Sequence, residues 1–335
     1  MLAALYFRKR NRILHAFFIN WFTNANIIIL IYSFRFHRFA GSIAVIMENK
    51  ISAADLIINP DGSIYHLNLL PEDLAQTVIT VGDPDRVSEI SKHFDRIELK
   101  KGKREFITHT GYLGQRRITV ISTGIGTDNI DIVFNELDAL VNIDFESRMV
   151  KKDLTSLDII RIGTSGAIQP DLPMGTILAS SFGLGLDALM QYYIHELSVD
   201  ERPILEAFHT HCAHIKGIHP YLTAADDTLL KTIGADMEQG ITITAPGFYA
   251  PQGRQVRAKN AIPDFIALLN TFQHGKYRIT NLEMETAGIY ALAKVLGHKA
   301  LSVNAILASR VNFEFSKSPN KVVDQAIRMV LDKLG

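Results

Sequence analysis

The chain has 335 residues, of which 47% are hydrophobic, and its 35 basic and 35 acidic side chains leave a formal net charge of zero. That composition excludes disordered and fibrous classes, supplies a sizeable core, and leaves no global field to recruit nucleic acid or anionic lipid. Any anion site must be local, and the single cysteine, Cys212, excludes an intrachain disulfide or a CxxC motif, which fits a reducing, cytoplasmic setting.

Residues 1–46 differ from the rest. RKRNR precedes AFFINWFTNANIIILIYSF, an apolar run of about bilayer-spanning length. A membrane anchor, a signal peptide and translation starting at Met47 compete as explanations. The run is long for a signal and ends in RFHRF without a small-residue cleavage site. Asn20, Asn24 and Asn26 interrupt it, and MENKISAAD opens like an ordinary soluble protein. The favoured reading is that translation starts at Met47, so that 1–46 is an extension in front of a single domain, 47–335; an anchor is the next choice, and no membrane role is expected.

From Ile64 onward, short apolar runs end in glycine-rich loops that lead into amphipathic segments, the signature of α/β architecture. TVITVGDPDRVSEISKHF reads as strand, loop and helix. ITVISTGIGTDNIDIVFNELDAL repeats the scheme, with Ile130, Val133, Phe134, Leu137, Leu140 and Val141 on one helical face. The segment 141–156, VNIDFESRMVKKDLTS, precedes a strand LDIIRIG that is expected to end at Thr164, Ser165 and Gly166. ITITAPGFYAPQGR reads as strand and loop, NLEMETAG as the start of a helix that stops at Gly297, and ALSVNAILASR as a strand.

GDPDR and RIGTSG each combine exposed backbone N–H groups with an arginine, and the second adds the hydroxyls of Thr164 and Ser165. Such a cup suits a phosphate oxyanion. Neither a Walker A nor a GxGxxG motif occurs, so free phosphate is expected rather than a nucleotide pyrophosphate. The competing reading makes Arg86 and Arg161 ordinary salt-bridge partners. Glu283 and Glu285 of NLEMETAG have a bland reading too, as acidic residues at the positive end of a helix dipole. His209, His211, His214 and His219 surround Cys212, yet their spacing matches no standard zinc pattern, and no metal is expected.

YHL, GDPDRV, KREF, STGIG, RIGTSGAIQP, FYAPQGR and NLEMET, in this order, resemble the nucleoside phosphorylase family, and within it the bacterial uridine phosphorylases. The resemblance runs from about Tyr65 to the C-terminus. It implies a three-layer α/β/α fold with a twisted mixed central sheet, and phosphorolysis of uridine to uracil and ribose 1-phosphate. It assigns phosphate to Gly82, Arg86, Arg161 and Thr164, joined by Arg104 from the neighbouring subunit of a homodimer. His66 likewise reaches across to the ribose 5′-hydroxyl. Glu283, Met284 and Glu285 hold the sugar, Phe248 packs against the nucleoside, and Gln252 and Arg254 read uracil.

Chemistry supports those assignments independently. Glycosidic cleavage builds positive charge on the sugar, which a carboxylate such as Glu285 favours while holding the ribose hydroxyls. Arg254 can stabilise the departing uracil, and Arg161 the attacking phosphate, so these three are the expected catalytic residues. No covalent intermediate and no cofactor is expected; phosphate is a co-substrate.

The chain also departs from the family. TDNID follows STGIG where a proline and serine are usual, and Asn129 stands where the family's interface potassium has a serine ligand, although Glu105 and Ile125 remain. Ser309 and Arg310 replace an Asn-Arg pair, and the aspartate that purine phosphorylases carry near there is absent. The rival readings are a purine nucleoside phosphorylase, a nucleosidase, and a non-catalytic nucleoside-binding or membrane-attached protein. Whether dimers assemble into hexamers stays open.

Overall fold

The computed structural model describes residues 50–335. The apolar run and the proposed boundary at Met47 lie outside the described residues, and no described helix is long and apolar enough to cross a membrane.

The alternation read from the sequence sets the order of elements. Strand β1 (Thr77–Val81) is buried along its whole length and leads through Gly82 into helix α1 (Asp85–Ser91). A meander follows, β2 (Arg96–Lys103), β3 (Phe106–Leu113) and β4 (Arg116–Ser122), and then helix α2 (Thr127–Asn142). Ile130, Val133, Phe134, Leu137 and Leu140 of α2 are buried, while Val141 is half-buried at the edge of that face. Within the segment 141–156 a hairpin forms, β5 (Ile143–Asp144) and β6 (Met149–Val150). Its turn residue Arg148, at φ +60°, donates to the carbonyls of Ile51, Ser52 and Leu56, fastening the first described residues to the domain.

Strands β7 (Asp158–Ala167) and β8 (Ile177–Gly185) come next, then helix α3 (Glu201–His211), strand β9 (Tyr221–Ala224), helix α4 (Asp227–Thr232) and strand β10 (Glu238–Thr244). The C-terminal part adds helix α5 (Phe265–Thr271), strands β11 (Gln273–His274) and β12 (Tyr277–Glu283), and helix α6 (Thr286–Leu296). Strands β13 (Lys299–Ser309) and β14 (Glu314–Phe315) and helix α7 (Pro319–Leu334) complete the chain.

The result is a three-layer α/β/α fold around one mixed sheet, ordered β11-β12-β10-β8-β13-β7-β1-β4-β3-β2. Strands β4, β1, β7 and β13 run parallel, so their C-terminal ends and the loops that follow lie together. The sheet also curls onto itself. β12 pairs antiparallel with the end of β7, Asn281 against Ala167 and Leu282 against Gly166, closing a ring through β10, β8 and β13.

Two expectations change here. RIGTSG is not a loop, because β7 continues to Ala167 with β13 on one side and β12 at its end taking up its backbone groups. NLEMETAG likewise opens as strand: Asn281–Glu283 end β12, and α6 begins only at Thr286, then runs to a left-handed Gly297 as expected.

Gly183 on β8 sets how closely α6 approaches. A Cβ there would stand 2.7 Å from Ala287 Cα and 2.8 Å from its backbone nitrogen. Gly183→Ala is therefore expected to lower stability by about 1–3 kcal/mol through overpacking, more than the ~0.4–1 kcal/mol that losing a flexible glycine returns. Because the first turn of α6 adjoins Glu285, turnover should fall as well; urea denaturation and steady-state rates measure both.

Candidate active site

A cavity of about 720 Å3 opens where the loops after β1, β4 and β12 meet β7 and β13. Its lining falls into three bonded groups.

In the first group, Gly82 and Arg86 follow β1 and meet Arg161 and Thr164 of β7. A Cβ at Gly82 would lie only 3.3 Å from the Gly124 carbonyl, so the two glycine loops touch. Arg86 sits 3.9 Å from Asp83 and 3.5 Å from the Ile162 carbonyl, contacts too long to hold it firmly. Burial lowers its pKa, and nearby Arg161 does the same, so an anion would be welcome here. Ser165 accepts a hydrogen bond from Asn281 at 2.9 Å and is thereby committed to the fold, unlike Thr164.

The second group is a buried ion cluster. Arg161, 4% exposed, reaches Glu285 at 2.5 Å and Glu283 at 2.9 Å, and donates to Asn304 Oδ1 at 2.9 Å. Gly163 makes this possible, since a Cβ there would fall 1.8 Å from the guanidinium. Glu283 also accepts from Thr244 Oγ1 at 2.8 Å and from the backbone N–H groups of Glu285 and Thr286. It thus caps α6 from the end of the preceding strand. Glu285 stands at the N-cap position, and its second oxygen accepts from Gly126 N at 2.9 Å. Gly126, at φ +96°, is in the left-handed region where glycine is favoured.

Burial works against the Arg161 charge, but Glu283 and Glu285 outweigh it and raise its pKa. Burial pushes the Glu283 carboxyl up; Arg161 opposes and Glu285 adds to the rise. One guanidinium between two carboxylates leaves the cluster one positive charge short.

The third group gathers the base readers. Gln252 is buried, and its Oε1 accepts from Arg254 at 2.5 Å. The Arg254 guanidinium lies 3.8 Å over the Phe248 ring and donates to the Phe248 carbonyl at 2.8 Å. Burial, with Arg310 nearby, brings the Arg254 pKa down to about 10, which keeps it cationic at neutral pH. Arg310 donates to the Gln252 carbonyl at 3.3 Å, and its Nε is buried without a partner among the described residues. The sequence marked Arg310 only as a departure from a family pattern; its place beside Gln252 depends on the turn after β13, which has no local signal.

Met284 lines the same cavity. Arg104 and His66 do not. Arg104 is exposed in the β2–β3 turn at φ +58°, and His66 borders a separate cavity of about 210 Å3. Asn129 Nδ2 donates to Glu105 Oε1 at 3.3 Å. With its amide N–H turned to that carboxylate, Asn129 does not present an oxygen there as the family's serine would at the interface potassium. The histidine cluster is dispersed: His211 bonds the Leu268 carbonyl, and burial pushes the Cys212 thiol up to about 11, far from a thiolate ligand. Among the described residues, no three His, Cys, Asp or Glu side chains gather as a metal site.

The sequence pattern of the phosphorylase superfamily matches residues 76–334. The chain belongs to that superfamily. It is 30% identical over 291 residues to the uridine phosphorylase of Thermococcus kodakarensis, covering 85% of this chain and 93% of that one. The uridine phosphorylase of Escherichia coli is 26% identical, over 80% of this chain and 96% of its own. A purine nucleoside phosphorylase, DeoD-type, of Buchnera aphidicola is also 26% identical, so the superfamily spans both base classes. A crystal structure of a Trypanosoma brucei nucleoside phosphorylase, described as showing uridine phosphorylase activity, superposes with a TM-score of 0.75 at 29% identity. It covers 84% of this chain and 99% of that one.

The raised Glu283 pKa gives the cluster a pH signature. The folded chain keeps a proton on Glu283 that the unfolded chain releases near pH 4.5. Its contribution is therefore full below that value and is lost as pH rises through the folded pKa. The difference in urea midpoint between pH 5 and pH 8 should shrink in Glu283→Gln, and an undiminished difference would mean that Glu283 is not the titrating group.

Proposed function

We infer that the chain catalyses the phosphorolysis of uridine to uracil and ribose 1-phosphate. The observation that carries this reading is one cavity lined by cationic and hydroxyl anion ligands, a buried carboxylate pair, and an amide–guanidinium pair suited to an imide edge. The relatives named uridine phosphorylase, matched over most of their length, point the same way.

Arg86, Thr164, Arg161 and the Gly82 backbone would hold phosphate, whose oxygen attacks C1′ of the ribose. As the C1′–N1 bond breaks, positive charge builds on the sugar, and Glu285 favours it while accepting from the ribose hydroxyls. Met284 packs against the sugar, and Glu283 holds Glu285 and the start of α6 in place. The bonding electrons pass to uracil, where Arg254 stabilises the charge on a carbonyl oxygen and Gln252 pairs with the imide edge. Phe248 packs against the nucleoside. To engage uracil, Arg254 must loosen its present contacts with Gln252 and Phe248.

A purine reading is less well supported. Purine protonation needs an acid near the base, whereas the described residues beside Gln252 and Arg254 offer Arg310 instead. Uridine should yield uracil and ribose 1-phosphate only with phosphate present, and inosine should be a poor substrate. Equal uracil release in phosphate-free buffer would mean hydrolysis.

The exposed Arg104 and the half-buried His66, neither lining its own chain's large cavity, support a homodimer with shared sites, each chain lending both residues to its neighbour. Arg104→Ala and Glu285→Ala proteins should then each be nearly inactive alone. After random subunit exchange, about half the dimers are hybrids with one intact site, so about a quarter of wild-type activity should return. Hybrids that form without activity would redraw the interface.

A further inference from the structure

Glu136 lies on α2, ten positions beyond Gly126, and its carboxylate is spent on two consecutive residues, His66 and Leu67. Its carboxylate accepts from the backbone N–H of His66 through both oxygens at 3.0 Å, and from the N–H of Leu67 at 2.8 Å. The His66 ring completes the clamp, with Nδ1 2.6 Å from Glu136 Oε1. A carboxylate can only accept, so Nδ1 carries a proton, and whenever the ring is neutral Nε2 keeps its lone pair. That nitrogen bonds no other described residue and is not among the buried polar atoms that lack a partner. Tyr65, packed edge-on at 4.7 Å, and Phe106 border the ring and limit its swing.

We infer that Glu136 is a positioning residue for the 5′-hydroxyl of the sugar. It fixes both the tautomer and the aim of His66, so that Nε2 presents an acceptor to that hydroxyl in the partner subunit's cavity. The inference rests on the shared-site reading above and adds to it a requirement on this chain's own residues. The ring touches the substrate; Glu136 acts only through it. Because α2 also carries, at its N-cap, the Gly126 N–H that holds Glu285, one helix aligns a carboxylate of its own site and a histidine of the next.

The test compares uridine with 5′-deoxyuridine, which lacks only the hydroxyl in question. His66→Ala should raise KM for uridine about tenfold, the worth of one good hydrogen bond, and leave 5′-deoxyuridine within twofold. Glu136→Ala should show the same selectivity with kcat for 5′-deoxyuridine unchanged, and should add nothing when combined with His66→Ala. If Glu136→Ala does not fold, Glu136→Gln carries the test. Its amide oxygen still accepts from the backbone N–H groups, but its N–H faces Nδ1 and weakens the hold on the ring; because the 5′-hydroxyl can accept as well as donate, KM for uridine alone should rise by less than in His66→Ala, at an unchanged melting temperature. Equal losses on both substrates, or none on uridine, in the Glu136 variants would overturn the positioning role while a selective His66→Ala kept the shared site intact. A His66→Ala protein that does not distinguish the two substrates would overturn both.

Discussion

The buried guanidinium of Arg161, shared by Glu283 and Glu285, is the interaction on which the site depends. Removing three charged groups from water is costly, and such a cluster persists only when its remaining hydrogen-bonding capacity is met. Here Asn304 of β13, Thr244 of β10, the first turn of α6 and the Gly126 N–H all contribute. Four separate parts of the sheet and its loops are thereby fixed to one point. The geometry also has a chemical consequence. Two carboxylates against one guanidinium leave a negative excess only once the proton that burial holds on Glu283 is released, and the proposed sugar position beside Glu285 suits a transition state that gains positive charge. Arg86, loosely held nearby, supplies positive charge for the incoming anion.

Much of this was legible in the sequence because it is local. The apolar face of α2, the strand of β1 with its glycine exit, and the Gly297 stop of α6 follow from periodicity and turn chemistry within about fifteen residues. The two glutamates of NLEMETAG were legible as a pair, and the helix-end reading holds: Glu283 caps α6 and Glu285 stands at its N-cap position, while their ion cluster with Arg161 depends on β7. What the sequence did not reveal depends on distant pairing. RIGTSG carries the glycines of a loop, yet β12 and β13 hold it extended. Gly163 serves there to let Arg161 lie across the strand rather than to make a turn. Asn304 offered a weak signal, a lone amide in a largely apolar strand, whereas nothing local in the sequence placed Arg310 beside Gln252.

Under the proposed homodimer, the placement of Arg104 and His66 outside their own chain's cavity acquires a role. A strained left-handed arginine at a hairpin tip and a histidine clamped away from its own cavity are of little use to a single chain. Both make sense when a two-fold neighbour presents its cavity to them. The meander β2–β3 and the segment before β1 then act as arms, and α2 as the rigid element that relates one site to the other.

Arg161 and Glu285 are expected to act as one unit, and a double-mutant cycle on kcat/KM for uridine measures whether they do. Arg161→Lys keeps the charge but loses the planar fork, and Glu285→Gln keeps the shape but loses the charge. If the two form a single device, either change removes most of its effect, and the double variant should be about as active as the worse single one. Losses that multiply as independent factors would contradict the account.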